Sequence, residues 1–411
     1  MILLTHPFGN ANVRAVLDAL DHGDLLAKFV TTLGWSNSSP FLQPLPANLR
    51  AQMARRAYDL PHYKIKTHPA REIMRLLAEK LGLRSLTTHE SGWASIDKIW
   101  GRLDEVAADY LQQNHERLKI HAVYAYEDCA ERLFETARQL GLRRIYDLPI
   151  AYWETAQRLL REEARRYPEW EPTLGGTRDS AEKLARKTRE LDLAEVVICP
   201  SDFVRDSLPE QTLTSKRCVV APFGSPAVLE NRSYTTNSTY DRPLRFLFAG
   251  ALTQRKGLAD LFAAMKLIEP KEAELVVMGS LVLPMRFYRN QFADFVYEPP
   301  RPHAAVLRLM GSCDVLVLPS IVEGRALVQQ EGMACGLPLI ATRNAGGEDL
   351  IVEGKTGFLV PTGDPAALAQ KIRWFLENRD QLPAMSAAAR AKAAELTWPA
   401  YGEKILHAIG A

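Results

Sequence analysis

The sequence predicts an α/β protein built from two doubly wound, parallel-sheet domains, and three observations carry that expectation. The chain has 411 residues, well past the length at which one hydrophobic core stops growing, so two domains are the default. Short apolar runs rich in Val, Ile, Leu and Phe alternate with helical stretches, the pattern of parallel strands covered on both faces. A polar tract at 231–243, NRSYTTNSTYDRP, interrupts that alternation. Its Ser, Thr and Asn content between apolar runs marks a linker. The expected division is a first domain at 1–230, a second at 244–395 and a final helix at 396–411.

In the first half, residues 1–5, 122–127, 144–147 and 196–200 read as strands. Long helical patterns at 99–117, 129–140, 152–166 and 180–191 separate them. The second half is more regular. Apolar strands at 245–250, 274–279, 314–320 and 338–342 alternate with helices at 256–268, 302–312 and 325–335. Two such domains leave a cleft between the carboxyl ends of their sheets, where ligands of doubly wound sheets bind.

Composition narrows the class. With 47% hydrophobic and 24% charged residues the chain reads as an ordinary globular protein. A net charge of +2 gives no case for nucleic acid. Locally, residues 49–84 hold nine basic side chains against three acidic ones. Such a segment suits an anionic membrane surface or an ordinary solvated helix face. The five cysteines are scattered without a CxxC pair, which indicates neither a disulfide framework nor a zinc site. The start MILLTHPFGN lacks the build of a signal peptide, and no window approaches eighteen apolar residues. A cytoplasmic location follows as the expectation, with contact at the inner membrane surface through 49–84.

The most informative stretch is DVLVLPSIVEGRALVQQEGMACGLPLIATRNAGGEDLIVEGKTGFLV. A strand ends at Pro319-Ser320, a loop carries Glu323 and Gly324, and the following helix carries Glu331, two turns on and on the face of the helix start. Free N–H groups at Arg325, Ala326, Leu327 and Val328 would form an anion site with the helix dipole. The helix start would take a diphosphate, Glu331 the hydroxyls of a ribose, and Glu323 the hydroxyls of a sugar beyond the phosphate.

This arrangement resembles the retaining glycosyltransferases of family 4, or group 1. Their signature is a pair of glutamates eight positions apart, preceded by Pro-Ser and followed by a small-residue turn. Glu323 and Glu331 have that spacing, with Pro319-Ser320 before and Met333-Ala334-Cys335-Gly336-Leu337-Pro338, Gly346-Gly347 and Thr356-Gly357-Phe358-Leu359-Val360 after. The sequence departs from the pattern at Arg325-Ala326, where Phe-Gly is usual, and at Gly332 in place of Ala. Arg325 would put a cation beside the donor sugar or point to solvent. The resemblance implies the GT-B fold, two Rossmann-like domains facing a central cleft, with the final helix crossing back to the first domain. It also implies a nucleoside diphosphate sugar donor (UDP, GDP or ADP), transfer with retention, and neither cofactor nor metal.

In FLFAGALTQRKGLADLFAAM, Gly250 lets the chain turn at a strand end, and Arg255 and Lys256 stand at the next helix start. Cations there stabilise the charge that grows on a leaving nucleoside diphosphate. The family commonly has an Arg directly after the strand glycine. Here that place is Ala251, and Arg255 is its natural replacement.

The first domain resembles the family weakly. Gly9 and Asn10, in THPFGN, would approach the donor or form a plain turn. A family histidine after a strand has no counterpart in IYDLPIAYW. Glu127 or Asp128 would serve the acceptor or cap a helix, and His6, His89 and His121 stay open as substitutes for the histidine. The expected function is therefore a metal-independent sugar transfer to an unidentified acceptor, with Arg255, Lys256 and Glu323 catalytic. The alternatives are a nucleotide-sugar-binding subunit without transfer activity, or another GT-B enzyme such as an epimerase or phosphorylase.

Overall fold

A computed structural model describes residues 1–39, 53, 56–227 and 242–410. Residues 231–241 of the expected linker, Arg50 and Arg55 of the basic segment, and Ala411 lie outside the described residues. Among the described residues nine strands precede the linker: β1 Ile2–Thr5, β2 Leu26–Thr31, β3 Trp35–Ser36, β4 Ala57–Tyr58, β5 Ile65–Thr67, β6 Ala122–Tyr126, β7 Arg143–Asp147, β8 Val196–Cys199 and β9 Arg217–Val220. Six follow it: β10 Leu244–Ala249, β11 Ala273–Met278, β12 Val296–Glu298, β13 Val315–Leu318, β14 Leu339–Thr342 and β15 Gly357–Val360.

The first sheet runs β5-β2-β1-β6-β7-β8-β9 and the second β12-β11-β10-β13-β14-β15. Every strand pair in both is parallel. The central strands are buried along their whole length because helices cover both faces, as at Val315–Leu318 and Val196–Cys199. The sequence pattern marks these central strands but not β2, β5, β9, β12 or β15. Edge strands β5 and β12 have three residues each, too few to show a period.

Among the described residues, the helices of eight or more residues in the first half are α1 Ala11–His22, α2 Ala70–Leu81, α3 Ile96–Asn114, α4 Glu131–Gln139, α5 Trp153–Arg166 and α6 Ala181–Leu193. Those of the second are α7 Leu258–Met265, α8 His303–Gly311, α9 Leu327–Ala334, α10 Pro365–Glu377, α11 Leu382–Ala394 and α12 Trp398–Ile409. Two segments cross between the sheets. Helix α12 packs on α1 and places Tyr401, Ile405 and Ala408 in the core under the first sheet. In the other direction, Trp170 leaves the first half to enter the second domain's core, with ring centroids 5.0 Å from Phe287 and 5.7 Å from Tyr288.

Candidate active site

The loops after β10 and β13 meet at Glu323. Lys256 Nζ lies 2.5 Å and Arg255 Nη1 3.0 Å from the same carboxylate oxygen. Burial alone would raise the Glu323 carboxyl, but the two cations outweigh it and hold the group below its ordinary value. Helix α7 begins later than its pattern suggests, at Leu258. Arg255 and Lys256 instead sit in a 3-10 turn, Gln254–Lys256, ended by Gly257 at φ +74°. That conformation needs glycine, since a Cβ there would also meet the Pro319 carbonyl oxygen at 1.9 Å.

The turn is fixed from the first half of the chain. Buried Gln254 donates from Nε2 to Glu163 (2.7 Å) and Asp260 (2.9 Å), and its backbone N–H donates to Thr173 Oγ1 (3.1 Å). Gly250 has a role beyond turning the chain. A Cβ there would lie 2.6 Å from Lys256 Cδ, so the bare backbone gives the lysine stem its path to Glu323.

Lys256 also reaches a cavity of about 470 Å³, within the range of ordinary ligand sites. Gly250, Ala326, Leu327, Val328 and Glu331 line it as well. Helix α9 starts at Leu327 rather than Arg325, and the Ala326 N–H is occupied by the Ala345 carbonyl at 3.2 Å. The expected four-donor anion site therefore narrows to the N–H groups of Leu327 and Val328, the first two of the helix. Glu331 Oε1 lies 3.0 Å from His303 Nε2, and Glu323 and Arg255 meet Lys256 without lining the cavity themselves. Arg301 and His303 line the cavity too. The sequence pattern misses both because they follow the unrecognised strand β12, in YEPPRPH.

Arg325 corrects an expectation. Its side chain is fully buried and faces neither sugar nor solvent. It grips Asp349 with two nitrogens, at 2.6 and 3.0 Å, and donates from Nε to Gln330 Oε1 at 3.1 Å. The ion pair pins the loop before α9 to the loop after β14. Gly324 does not line the cavity either. It lies against the first domain, where a Cβ would be 1.7 Å from the Pro149 carbonyl oxygen. Its own carbonyl accepts from Ser201 Oγ at 2.7 Å, and the Glu323 carbonyl accepts from the Ala151 N–H at 3.4 Å. Loops after β7 and β8 thus close on the loop that carries Glu323, across the cleft between the sheets.

In the first domain, Gly9 serves packing, since a Cβ there would meet the Tyr58 ring at 2.4 Å. Asn10 precedes α1 without a side-chain cap bond. Neither lines the cavity. Glu127 and Asp128 are tied to α6 through Lys187 at 3.2 and 3.5 Å, with Arg186 on Asp128 at 2.7 Å. Of the three histidines, only His6 stands at the carboxyl end of a strand, on the cleft side. Its Nδ1 accepts the Phe8 N–H at 2.9 Å, and burial pushes its pKa down to about 3. His6 is thereby a neutral ring with its proton on Nε2. A larger groove of about 660 Å³ lies along α6. Lys183 in it is paired with Asp97 and Asp179, and none of the motif residues reaches it.

Residues 235–392 match the family model of glycosyl transferases group 1. An uncharacterised glycosyltransferase of Methanocaldococcus jannaschii is 28% identical over 189 residues, 46% of this chain and 51% of that protein. A D-inositol 3-phosphate glycosyltransferase of Corynebacterium urealyticum is 37% identical over 99 residues, 24% of this chain and 23% of that protein. The chain thus spans about half or less of the curated relatives it matches. Among solved structures, sucrose-phosphate synthase of Thermosynechococcus elongatus superposes with a TM-score of 0.67 at 18% identity, covering 99% of this chain and 97% of that one. HepE of Anabaena in complex with UDP gives 0.60 at 16% identity, covering 100% and 99%. Residues 235–392 are accordingly a group 1 glycosyl transferase domain, set in a two-domain GT-B architecture.

Proposed function

We propose that the protein transfers a sugar from a nucleoside diphosphate sugar to an acceptor, with retention at the anomeric carbon and without a metal. The observation that carries this is the Lys256–Glu323–Arg255 cluster, whose Lys256 lines the same cavity as Glu331. Two cations against one carboxylate leave a net positive charge. Such a charge, held in a cleft, favours a diphosphate that gains negative charge as the sugar leaves. Glu331 takes the ribose, the N–H groups of Leu327 and Val328 and the Lys256 ammonium take the diphosphate, and Glu323 faces the transferred sugar. Arg255, whose Nη1 also donates to the Val322 carbonyl at 2.9 Å, holds Glu323 in place. HepE, solved with UDP and with UDP-glucose, makes UDP sugars the first donors to try. Retention follows from the family-4 resemblance.

Among the described residues no helix is long and apolar enough to cross a membrane. The five cysteines, four of them buried, favour a reducing compartment such as the cytoplasm. The deciding experiment is a thermal-shift screen with UDP, GDP and ADP sugars, followed by donor turnover in excess EDTA. Stabilisation by one nucleotide class and turnover that survives EDTA are the expected results. Turnover abolished by EDTA and restored by Mg²⁺ would refute the metal-free reading.

A further inference from the structure

Helix α2 is amphipathic in the inverted sense. Its inner side is polar: Glu72, fully buried, accepts from Arg56 at 2.5 Å and from Arg75 Nε at 2.8 Å. Those two guanidiniums lie 5.1 and 6.0 Å over the ring of Phe8, in the loop after β1. Its outer side is apolar. Ile73, Leu77 and Leu81, spaced by four, form one stripe, and Leu83, Trp93 and Ile96 extend it into the next loop. These six side chains are between 44% and 68% exposed, in a protein whose other exposed large apolar residues are scattered. The guanidinium of Arg71 joins the two parts, 5.4 Å over the Trp93 ring and bonded to the Lys98 carbonyl at 2.7 Å.

The exposed charges without an ion partner around this face are of one sign. Lys66, Lys80, Arg84 and Lys98 are exposed and make no ion pair among the described residues. Glu79, the exposed acid on the helix, is paired with Arg75 at 2.5 Å. The basic run read from the sequence is thus divided. Lys64, paired with Asp21 at 2.6 Å, and Arg56 and Arg75 are used internally, whereas Lys80 and Arg84 flank the apolar stripe on the helix and just after it. Apolar side chains including a Trp, ringed by unpaired cations, complement an anionic bilayer, with the stripe in the acyl boundary and the cations at the headgroups.

We propose that the outer face of α2 with residues 83–98 docks the protein on an anionic lipid surface, which sets the loop after β1 one helix thickness from the membrane. The test is co-sedimentation of the full chain with vesicles of phosphatidylglycerol or of phosphatidylcholine, with no sugar donor present, so its outcome is independent of glycosyl transfer. The parent should bind phosphatidylglycerol at least about tenfold more tightly than phosphatidylcholine. Leu77→Glu/Leu81→Glu should lose about tenfold or more, with an unchanged melting temperature because both side chains are exposed. Lys80→Glu/Arg84→Glu should lose the lipid selectivity. Failure of the parent to bind phosphatidylglycerol, or equal binding by parent and Leu77→Glu/Leu81→Glu, would overturn the proposal. So would a dimer seen by light scattering that this double variant dissolves, because the face would then belong to a second copy.

Discussion

Glu331→Gln and Glu323→Gln should separate the two roles proposed for these carboxylates. Glu331 lines the cavity beside His303, 3.0 Å away. Its loss removes a charge-assisted hydrogen bond to the ribose, roughly 1.5–3 kcal/mol, or about ten- to a hundredfold in nucleotide affinity. Glu323 behaves in the opposite way. Removing its charge takes the cluster from two cations and one anion to two cations and none. A unit charge several ångströms from a bound diphosphate is worth roughly 1–3 kcal/mol between the dielectric of water and that of a protein surface. After screening by salt, Glu323→Gln should bind the free nucleoside diphosphate as tightly as the parent, or up to about tenfold more tightly. Its turnover should nonetheless fall, because the transferred sugar loses its carboxylate. Calorimetric titration of UDP, GDP or ADP, whichever the screen selects, into both variants reads the affinities, with melting curves to confirm folding. Weaker nucleotide binding in Glu323→Gln than in Glu331→Gln would mean that the donor lies reversed or elsewhere.

Lys256→Ala should lower turnover about a hundredfold or more, as loss of one transition-state donor does; a variant with near-parental kcat would remove Lys256 from the mechanism. Arg325→Met should cost roughly 1–3 kcal/mol of stability, since it breaks the pair but leaves Asp349, 37% exposed, open to water, while the donor KM of the folded fraction stays within about threefold; a normal melting temperature with a large KM change would restore Arg325 to the sugar site. Asp147 is buried, accepts the Tyr124 hydroxyl at 2.6 Å, and has its pKa pushed up to about 7, chiefly by burial. Its folded value exceeds the unfolded one, so its contribution is complete below the ordinary carboxyl range and is lost as pH rises through about 7. Asp147→Asn should therefore melt above the parent at pH 8 and alongside it near pH 4, and a constant difference across that range would contradict the assignment.

The backbone records its own environment locally, and that part was open to inspection in the sequence. The apolar runs of β10, β11, β13 and β14 announce strands covered on both faces because every apolar residue there is buried whichever way it points. The spacing of Glu323 and Glu331 across a strand end and a helix start likewise places both near one ligand. Partnership across the chain is a different matter. Arg325 was open to two roles until the fold brought Asp349 within 2.6 Å of it. His303 carries no local mark, and only the placement of α8 beside α9 sets it on Glu331. The amphipathic period of α2 shows that the helix has an apolar side, but not which side faces inward. That was decided by Arg56 and Arg75 converging on Glu72. Sequence alone determined the periods, the caps and the motif spacing, because these depend on neighbours within a few residues. Tertiary structure alone decided which charges neutralise one another and which side chains meet across the cleft, because those contacts join loops from different strands and no local period encodes them.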